Sequence, residues 1–371
     1  MIPNEPVDGE GVRLRAYRPD DADDVVGGCD DPVTQRFLPR LPRPYTRDDA
    51  LFWINEGAPG AFAVGGAAFA VTDPTTDRVL GGAGIGFVQA EQLSAEIGYW
   101  VAPWARGRGV ATAACRALTA HAFAQGIGRL ELRAEPTNGP SLRVAIAAGY
   151  TREGVQRGGG LDRDGNRYDL IVYARLPGDP PGPVNRLLPD LAGGELTDGT
   201  VSLRPVRAED ADDRYTLHAL PEVVATSVPP ETPEYEHIAR SSARAESGWL
   251  AGQRAEFTIR DAATGAYAGE INLVYQEPTT GQAMVGYSMM PQWRGRGYMT
   301  RAVRLIAEWA FAETGIQRLI AGTEPENVGS QRVLARAGFQ REGYQHSRLP
   351  GPNGTRIDDL LWALLPGQLA G

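Results

Sequence analysis

The sequence predicts a mixed α/β protein in which one fold, a sheet flanked by helices, occurs twice in tandem. Three observations support this prediction. The chain has 371 residues, which is long for a single domain of about 100–150 residues. The stretch "RGRG" occurs at residues 106–109 and again at 294–297. The segments around both stretches align over most of the chain and show the same order of strand and helix patterns.

The composition is that of a globular protein with an acidic surface. Hydrophobic residues make up 42% of the chain, charged residues make up 22%, and the net charge is −9. This charge disfavours a nucleic-acid partner and suits a cationic one. Every positive side chain is arginine, because the sequence contains no lysine. A GC-rich genome is the simplest explanation, and a protein that handles an amine-acylating reagent would also benefit from carrying no reactive side-chain amine.

The sequence shows no sign of a membrane, secretory or metal-binding protein. No run approaches the roughly 18 apolar residues of a membrane span. The first residues, "MIPNEPVDGEGVRLR", lack the basic-then-apolar pattern of a secretory signal, which favours a cytoplasmic location. Cys29 and Cys115 are too few for a disulfide framework and lack metal-ligand spacing. We therefore expect ordinary thiols and no metal.

The repeat defines the expected domains. Aligning Arg106 with Arg294 places "EIGYWVAPWARGRG" over "MVGYSMMPQWRGRG", and the starts "VRLRAYRPDDADD" and "VSLRPVRAEDADD" also match. Between the copies, a stretch rich in Pro and Gly is typical of a linker that extends neither a helix nor a sheet. The predicted organisation is an N-terminal domain at 1–176, a linker at 177–199 and a C-terminal domain at 200–371.

The first half of each copy contains a strand, an acidic stretch and a strand pair. The first strands are predicted at Val12–Ala16 and Val201–Val206. The acidic stretches that follow them, "DDADD" and "EDADD", favour helix N-termini. The strand pairs are "AFAVTD" with "VLGGAGIGFV" in the first copy and "EFTIRD" with "YAGEINLVY" in the second, and turn-forming segments join their members.

The second half of each copy begins with a strand that contains Gly-Tyr and leads through the "RGRG" turn into a helix. In the second copy this helix has apolar residues at helical spacing, namely Met299, Val303, Ile306, Ala307, Ala310 and Phe311. A further strand, at Leu130–Glu135 or Leu319–Glu324, a short helix and a last strand pair complete each copy. We expect the central sheet to splay at Gly98-Tyr99 and Gly286-Tyr287.

A turn between a strand and a helix in this form is suited to bind an anion. Its glycines let the backbone approach a ligand closely, and the helix N-terminus offers free N–H groups and the positive end of its dipole. A pyrophosphate fits such a site. The pattern matches neither the Walker P-loop nor the dinucleotide-binding Gly-x-Gly-x-x-Gly. Taken alone, it is explained equally well by a tight structural turn.

The sequence around the first turn makes the interpretation more specific. "AEIGYWVAPWARGRGVATAACRALTAHAF", followed by "EPTNGPSLRVAIAAGYTREG", resembles the acyl-CoA-binding signature of the GCN5-related N-acetyltransferases (GNAT). The resemblance is strongest to the RimJ/RimL-like branch, which acetylates the N-termini of ribosomal proteins. The family's turn, Gln/Arg-x-x-Gly-x-Gly/Ala, is matched in full by Arg106, Gly109 and Ala111. The second copy has Arg294 and Gly297 but Met299 at the last position. The resemblance implies two tandem GNAT domains.

The resemblance further implies acetyl-CoA or another acyl-CoA as cosubstrate. Backbone amides of each turn would bind the CoA pyrophosphate, and the strand before the turn would pair with the pantetheine arm. The asparagine of each Asn-x-x-Ser motif would face that arm, although helix capping also accounts for it. The implied CoA-binding residues are Val101, Arg106, Gly107, Arg108, Gly109, Val110, Ala111 and Asn138 in the first copy, and Met289, Arg294, Gly295, Arg296, Gly297, Tyr298, Met299 and Asn327 in the second.

Acyl transfer to an amine requires a deprotonated amine, a stabilised oxyanion and a protonated leaving thiolate. Glu96 is the candidate base, acting through water, although a salt-bridged strand carboxylate explains it equally well. The resemblance implies that Ser141 and Ser330, which end the two Asn-x-x-Ser motifs, protonate the thiolate. A hydrogen bond at the helix N-terminus is the alternative for both serines. Many GNAT enzymes carry a tyrosine acid four residues further along, where this chain has Ala145 and Leu334.

The two copies differ at the position of the candidate base. The second copy has Met284 where the first has Glu96, and a methionine cannot accept a proton. We therefore expect catalysis in the first copy. The second copy is expected either to bind acyl-CoA without turnover or to use another group, chosen from Glu270, Tyr275, Glu277 and His346. A catalytic C-terminal half with a regulatory N-terminal half is the alternative assignment.

The function predicted from these observations is transfer of an acyl group from acyl-CoA to a primary amine. The acceptor is a peptide, a protein N-terminus or a small molecule, and acidic residues such as Glu91 and Glu96 suit a cationic amine. Two other functions fit the same turn, namely acyl-CoA binding without catalysis and nucleotide binding. The length of the acyl chain, its carriage by CoA or by a carrier protein, and a monomeric or homodimeric state stay open.

Overall fold

The computed structural model describes residues 2–351 and 354–369. The chain divides into two compact units, Met1–Asn185 and Arg186–Gly371. Each unit is built on a sheet of eight strands flanked by helices, as predicted. The point of division lies within the stretch 177–199. The finer bounds given above for the two domains stay a prediction, and their outer ends lie outside the described residues.

The first unit begins with two short strands, continues through four short helices and then alternates longer strands and helices. Its strands are β1 (Val7–Gly9), β2 (Val12–Arg15), β3 (Ala67–Thr72), β4 (Val79–Gln89), β5 (Ser94–Val101), β6 (Arg129–Ala134), β7 (Thr151–Leu161) and β8 (Arg167–Arg175). Its helices are α1 (Ala22–Cys29), α2 (Pro32–Phe37), α3 (Arg47–Phe52), α4 (Ala58–Ala63), α5 (Val110–Ala124) and α6 (Gly139–Ala147). The strand order is β1-β2-β3-β4-β5-β6-β8-β7.

The second unit repeats this architecture. Its strands are β9 (Leu196–Thr197), β10 (Val201–Pro205), β11 (Arg254–Asp261), β12 (Tyr267–Glu277), β13 (Gln282–Met289), β14 (Arg318–Thr323), β15 (Gln340–Pro350) and β16 (Arg356–Leu364). Its helices are α7 (Ala211–His218), α8 (Pro221–Val224), α9 (Tyr235–Leu250), α10 (Tyr298–Glu313) and α11 (Val328–Ala337). The order β9-β10-β11-β12-β13-β14-β16-β15 is that of the first sheet.

Each sheet contains one parallel strand pair, and that pair separates soon after it forms. β5 and β6 are paired from Ser94 and Arg129 to Glu96 and Glu131. Beyond this point β5 continues to Val101 paired with β4 alone. β13 and β14 separate in the same way after three paired positions. The sheet is therefore open between the two parallel strands, and its pairing ends two residues before the predicted splay.

A long helix follows the opening in each unit and packs on one face of the sheet. In α10 the predicted apolar stripe is confirmed, because Met299, Val303 and Ile306 are buried in the core of the second unit. The rings of Trp249, Phe257 and Trp309 contact one another there, with centroids 5.1 to 6.0 Å apart. Aromatic pairs at this spacing stabilise a core beyond the area that they bury.

The other face of the first sheet is covered by α1 and the short helices after it. They form a buried cluster against which Tyr17 and Trp100 pack, and its members are Ala22, Val25, Cys29, Tyr45, Ala50 and Ile54. The ring of Trp100 lies directly against Gly28 of α1. A Cβ atom at Gly28 would stand 2.1 Å from Cζ3 of that ring. The contact between the helix and the sheet therefore requires a glycine at this position.

Parts of the fold differ from the sequence prediction. The helices α2 to α4, α8 and α9 were not predicted, because most of them are too short to show a helical period. The expectation that 177–199 joins no sheet is wrong at its C-terminal end. There Leu196 and Thr197 pair with β10 through a tight hairpin that contains Gly199. Leu188 is also fully buried in the second core, so this part of the stretch belongs to the second unit.

The contact between Gly28 and Trp100 can be tested by substitution. Gly28→Ala forces the indole out of its position, which we expect to lower the free energy of unfolding by about 1–3 kcal/mol. Gly60→Ala is the matched control, because a Cβ there has no atom within 4 Å and the residue is also helical. The control should be stabilising by up to about 1 kcal/mol, since alanine favours helix. Urea denaturation measures both effects, and equal effects of the two substitutions would contradict the packing described.

Candidate active site

A tight glycine turn connects the splayed strand to the long helix in each unit. The φ angles are 73° and 78° at Gly107 and Gly109, and 74° and 82° at Gly295 and Gly297. These angles lie in the left-handed region, which costs a residue with a side chain about 1–2 kcal/mol. A Cβ at any of the four would have no neighbour within 4 Å. Backbone conformation, and not lack of space, therefore selects glycine here.

The turn leaves the N-terminus of the helix free to bind a ligand. Gly109 precedes α5 and Gly297 precedes α10, and neither helix has a side-chain cap. The first backbone bond of α5 runs from the amide of Ala113 to the carbonyl of Gly109. The amides of the first helical turn have no hydrogen-bond partner within the helix, and they lie at the positive end of the helix dipole. This is the arrangement that binds phosphate groups in many proteins.

The first arginine of each turn fixes the turn to its own unit. Arg106 forms an ion pair with Asp31 at the start of α2 and donates to Thr34 Oγ1 at 3.0 Å. Burial would raise the pKa of Asp31, but the hydrogen bonds from Arg106 and Thr34, together with the charge of Arg106, lower it. Arg294 Nε donates to the carbonyl of Met289 at 3.0 Å. These side chains hold the turn, so the backbone amides are left as the groups suited to a ligand.

The methionine in the second turn does not obstruct the turn. The side chain of Met299 is 6% exposed and packs in the core of the second unit. The preceding Tyr298 is also buried, and its hydroxyl hydrogen-bonds with Asp261. The second arginines, Arg108 and Arg296, are exposed in both turns. The departure from the family pattern at Met299 therefore leaves the free amides accessible.

The asparagines of the two Asn-x-x-Ser motifs cap the helices that they precede. Asn138 Oδ1 accepts a hydrogen bond from the amide of Ser141 at 3.3 Å. Asn327 Oδ1 accepts one from the amide of Ser330 at 3.0 Å. Helix capping, one of the two roles considered for these asparagines, is thus present in both units. The capping bond fixes the position of each serine.

Each of these serines is hydrogen-bonded to a tyrosine of the splayed strand. Tyr99 Oη lies 2.9 Å from Ser141 Oγ, and Tyr287 Oη lies 2.7 Å from Ser330 Oγ. Burial raises the pKa of both phenols, that of Tyr287 to about 12, so both stay protonated near neutral pH. The sequence pattern predicted no role for these tyrosines, although the Gly-Tyr pair matches in both copies. Ala145 is fully buried at the position where many GNAT enzymes carry a tyrosine acid.

Glu96 lies at the edge of the opening and forms an ion pair with Arg133 of β6. The two side chains are 21% and 24% exposed. The pKa of Arg133 is raised, and its hydrogen bond to Glu96 is the main cause. The guanidinium of Arg133 also lies 5.6 Å from the ring centre of Phe87. Because side chains alternate along a strand, Glu96 and Tyr99 lie on opposite faces of β5. Glu96 and the Ser141–Tyr99 pair therefore flank the strand from its two sides.

The second unit carries no carboxylate at the position of Glu96. Met284 is half-buried there, and it pairs with Val274 of β12. Of the groups proposed to replace the carboxylate, Tyr275 is buried in the core and Glu277 hydrogen-bonds with Thr280 in an exposed turn. His346 is also exposed, with 84% of its side chain accessible. None of these three groups is suited to accept a proton at the opening.

Glu270 is the centre of a buried cluster of charged side chains. Its carboxylate accepts a hydrogen bond from Arg214 Nε at 2.9 Å and lies 2.6 Å from His218 Nε2. Arg214 also donates to Ser242 Oγ at 2.8 Å. Burial would raise the pKa of Glu270, but the hydrogen bond with His218 and the charge of Arg214 lower it to about 2. A carboxylate of this pKa is a poor base, so Glu270 positions His218, for which the sequence pattern predicted no role.

The described part of the chain shows no group of His, Cys, Asp and Glu side chains that would hold a metal ion. Among the helices described, none is long and apolar enough to cross a membrane. Cys29 and Cys115 are buried free thiols, and burial raises the pKa of each to about 12.

The comparison with protein families decides the classification. The family model for the acetyltransferase (GNAT) domain matches residues 12–151 and 200–340, which together are more than half of the chain. The chain belongs to the GNAT family. One matched region lies within each unit and contains its glycine turn, so the family resemblance and the tandem GNAT fold are both confirmed.

Several known proteins resemble parts of this GNAT chain. The probable N-acetyltransferase YjcK of Bacillus subtilis is 41% identical over 83 residues, 22% of this chain and 45% of that protein. The ribosomal protein uS5-alanine N-acetyltransferase of Escherichia coli is 37% identical over 60 residues, 16% of this chain and 31% of that protein. Mycobacterium smegmatis RimJ in complex with CoA-disulfide has a TM-score of 0.42 and 24% identity, covering 48% of this chain and 88% of that chain. This chain spans less than half the length of the two curated relatives.

The cluster around Glu270 predicts a specific dependence of stability on pH. Because the pKa of Glu270 is lowered from 4.5 to about 2, its ionisation stabilises the fold above pH 4.5, and this contribution is lost as the pH falls towards 2. Glu270→Gln should lose about 3 kcal/mol at pH 7 and show a shallower decline in stability below pH 4.5. Urea midpoints between pH 7 and 3 measure this, with the exposed Glu308→Gln as control. Parallel pH curves for wild type and Glu270→Gln would contradict the assignment.

Proposed function

We propose that this GNAT protein transfers an acyl group, acetyl in the simplest case, from acyl-CoA to a primary amine. The observation that carries the proposal is the opening between β5 and β6, with the glycine turn at its end and the Ser141–Tyr99 pair at its side. Family membership supports the same reaction class. The acyl-CoA thioester would lie in this opening.

The residues present fit a CoA molecule. The pyrophosphate would lie on the free amides of the turn and of the first turn of α5, next to the exposed Arg108. Beyond Glu96, the edge of β5 that faces the opening is not paired with β6, and its backbone groups are suited to bind the amides of the pantetheine arm. The second unit has the same features around Gly297 and β13. Two acyl-CoA molecules per chain are therefore expected.

The side chains of the first unit account for the proton transfers. Glu96 takes the proton of the amine, through a water molecule, and the freed lone pair forms the new C–N bond. A backbone N–H of β5 stabilises the oxyanion. The C–S bond then breaks, and Ser141 Oγ, held by Tyr99, donates its proton to the leaving sulfur. Arg133 must release Glu96 in part for the first step, and a cationic amine would compete with Arg133 for this carboxylate.

The acceptor proposed is the N-terminal amine of a peptide or protein. An α-amine has a pKa of about 7.7–8.0, so near neutral pH it needs less help from a base than a lysine amine with a pKa of about 10.4. The partial similarity to the uS5-alanine N-acetyltransferase supports this class of acceptor. The net charge of −9 favours an acceptor that is positively charged overall. Cationic small amines are the second class to be tested.

A binding protein without catalysis is the competing function. It requires no proton donor beside the thioester, yet both units keep a serine whose hydroxyl is held by a buried tyrosine. A decayed site would have no reason to retain both the capping asparagine and this pair in each unit. The two serine–tyrosine pairs therefore favour the enzyme.

The mechanism predicts the effect of substitutions in the first unit. With the second turn blocked by Gly297→Asp, Glu96→Gln should lower turnover about a hundredfold and leave the dissociation constant of acetyl-CoA nearly unchanged. The deficit should shrink as the pH rises, because a deprotonated amine needs no base. Ser141→Ala should lower turnover as well. Mass spectrometry of acetylated amines measures the rates, and the chain carries no side-chain amine that would add a background of self-acetylation.

The control for this experiment is Glu10→Gln, since Glu10 is an exposed carboxylate in the turn between β1 and β2. Its turnover should equal that of the parent, which is the chain carrying Gly297→Asp alone. Loss of acetyl-CoA affinity in Glu96→Gln would show a binding role and would contradict the assignment as a base. Full activity of Glu96→Gln at low pH would exclude Glu96 as the base.

A further inference from the structure

The two units carry different side chains on the sheet face that lies opposite the long helix. In the first unit this space is apolar, because Trp100 lies over Gly82 of β4 and against α1. In the second unit Ser288 takes the register position of Trp100, and Glu270 takes that of Gly82. The large ring is replaced by a short hydroxyl, and a backbone without a side chain is replaced by a carboxylate. This face is therefore polar in the second unit, at the place where an aromatic ring fills it in the first.

The polar cluster lies on the side of β13 opposite the serine–tyrosine pair. Glu270 pairs with Ser288, so its side chain shares the face of Ser288 and Gly286. Asn272 confirms this face, because its Oδ1 would lie 3.4 Å from a Cβ at Gly286. Tyr287 points to the other face and holds Ser330. The second unit thus has a proton donor on one side of the strand and a histidine–carboxylate pair on the other.

The first unit has the same division around β5. Ser141 with Tyr99 occupies one side, and Glu96 occupies the other. The two units therefore match in the arrangement of an acid and a base, although the residue that supplies the base differs. Met284 marks the position where the second unit lacks a carboxylate, and the cluster of Glu270 and His218 lies further along the same face.

His218 is suited to accept a proton in this arrangement. Its Nε2 lies 2.6 Å from Glu270 Oε1, and this contact holds the ring in place. The ring nitrogen Nδ1 takes no part in that bond, and the side chain is 23% exposed. Arg214, which bridges Glu270 and Glu256, keeps the carboxylate in place. Burial of charges is costly, so a cluster kept at this position is better explained by a role in chemistry than by stability alone.

We propose that the second unit is a second acyl-transfer site, in which His218 accepts the proton of the amine and Glu270 positions His218. The inference rests on the proposed N-acyltransferase function and assigns a base to the unit that lacks one. The amine loses its proton to His218 Nδ1, directly or through one water, and its nitrogen forms the C–N bond. The C–S bond breaks, and Ser330 Oγ donates its proton to the sulfur. Because its face is polar and not aromatic, this site takes an amine acceptor with polar groups next to the reacting nitrogen.

The test uses the full chain with the first turn blocked by Gly109→Asp, so that remaining transfer comes from the second unit. Acetyl-CoA is offered with an alanine-started peptide, spermidine and an aminoglycoside, and the acetylated products are quantified by mass spectrometry. Adding His218→Gln should lower kcat about a hundredfold. The dissociation constant of acetyl-CoA, measured by calorimetry, should change less than about twofold, as should the KM for the amine. His218→Asn is the second variant and should behave alike.

The matched control is His237→Gln, because His237 is an exposed histidine of α9 in the same unit. Its kcat should equal that of the Gly109→Asp parent. Loss of all transfer in Gly109→Asp, with one acetyl-CoA still bound per chain, would overturn the inference and leave the first unit as the enzyme. Transfer that is unaffected by His218→Gln would also overturn it. Absence of transfer by the wild-type chain to every amine would overturn the proposed function, and the inference with it.

Discussion

The two parallel strands in each sheet are hydrogen-bonded at only three positions before they separate. The arrangement of the candidate site in each unit depends on that separation. A parallel sheet normally continues its ladder, because unpaired backbone groups are costly when they are buried. Here β5 and β13 continue with one edge unpaired, and each is held on its other edge by its antiparallel partner, β4 or β12. The helix that follows starts from a left-handed glycine at the end of the opening. We propose that acyl-CoA supplies hydrogen bonds to the open edges and to the helix amides.

The two units carry different side chains on the sheet face opposite the long helix, where we propose that the amine acceptor binds. The core side of each sheet is conserved in character, since the long helix buries apolar side chains in both. The opposite face is aromatic around Trp100 in one unit and ionic around Glu270 in the other. The chemistry of this face differs although the strand separation and the glycine turn are the same in both units. The two units thus share the features proposed to bind acyl-CoA and differ on the face proposed to receive the acceptor.

The sequence predicted the features that depend on neighbouring residues and missed those that depend on distant contacts. The repeat, the glycine turn and the stripe of α10 are local patterns, and the structure has all three. The bond between Tyr99 and Ser141 joins residues 42 positions apart, and that between Glu270 and His218 joins residues 52 apart. No local pattern signals such pairs. The matching Gly-Tyr positions in both copies were the one available hint for the first pair, whereas His218 has no counterpart histidine in the first copy, where Cys29 aligns with it.

The central claim is that each of the two openings is an acyl-CoA site, and the stoichiometry of binding tests it most directly. Isothermal titration of the full chain with acetyl-CoA should give two molecules bound per chain. Gly109→Asp and Gly297→Asp should each reduce this number to one, because an acidic side chain at the turn repels the pyrophosphate and is strained at a left-handed φ. One molecule bound to the wild-type chain, or two bound to either variant, would contradict the account.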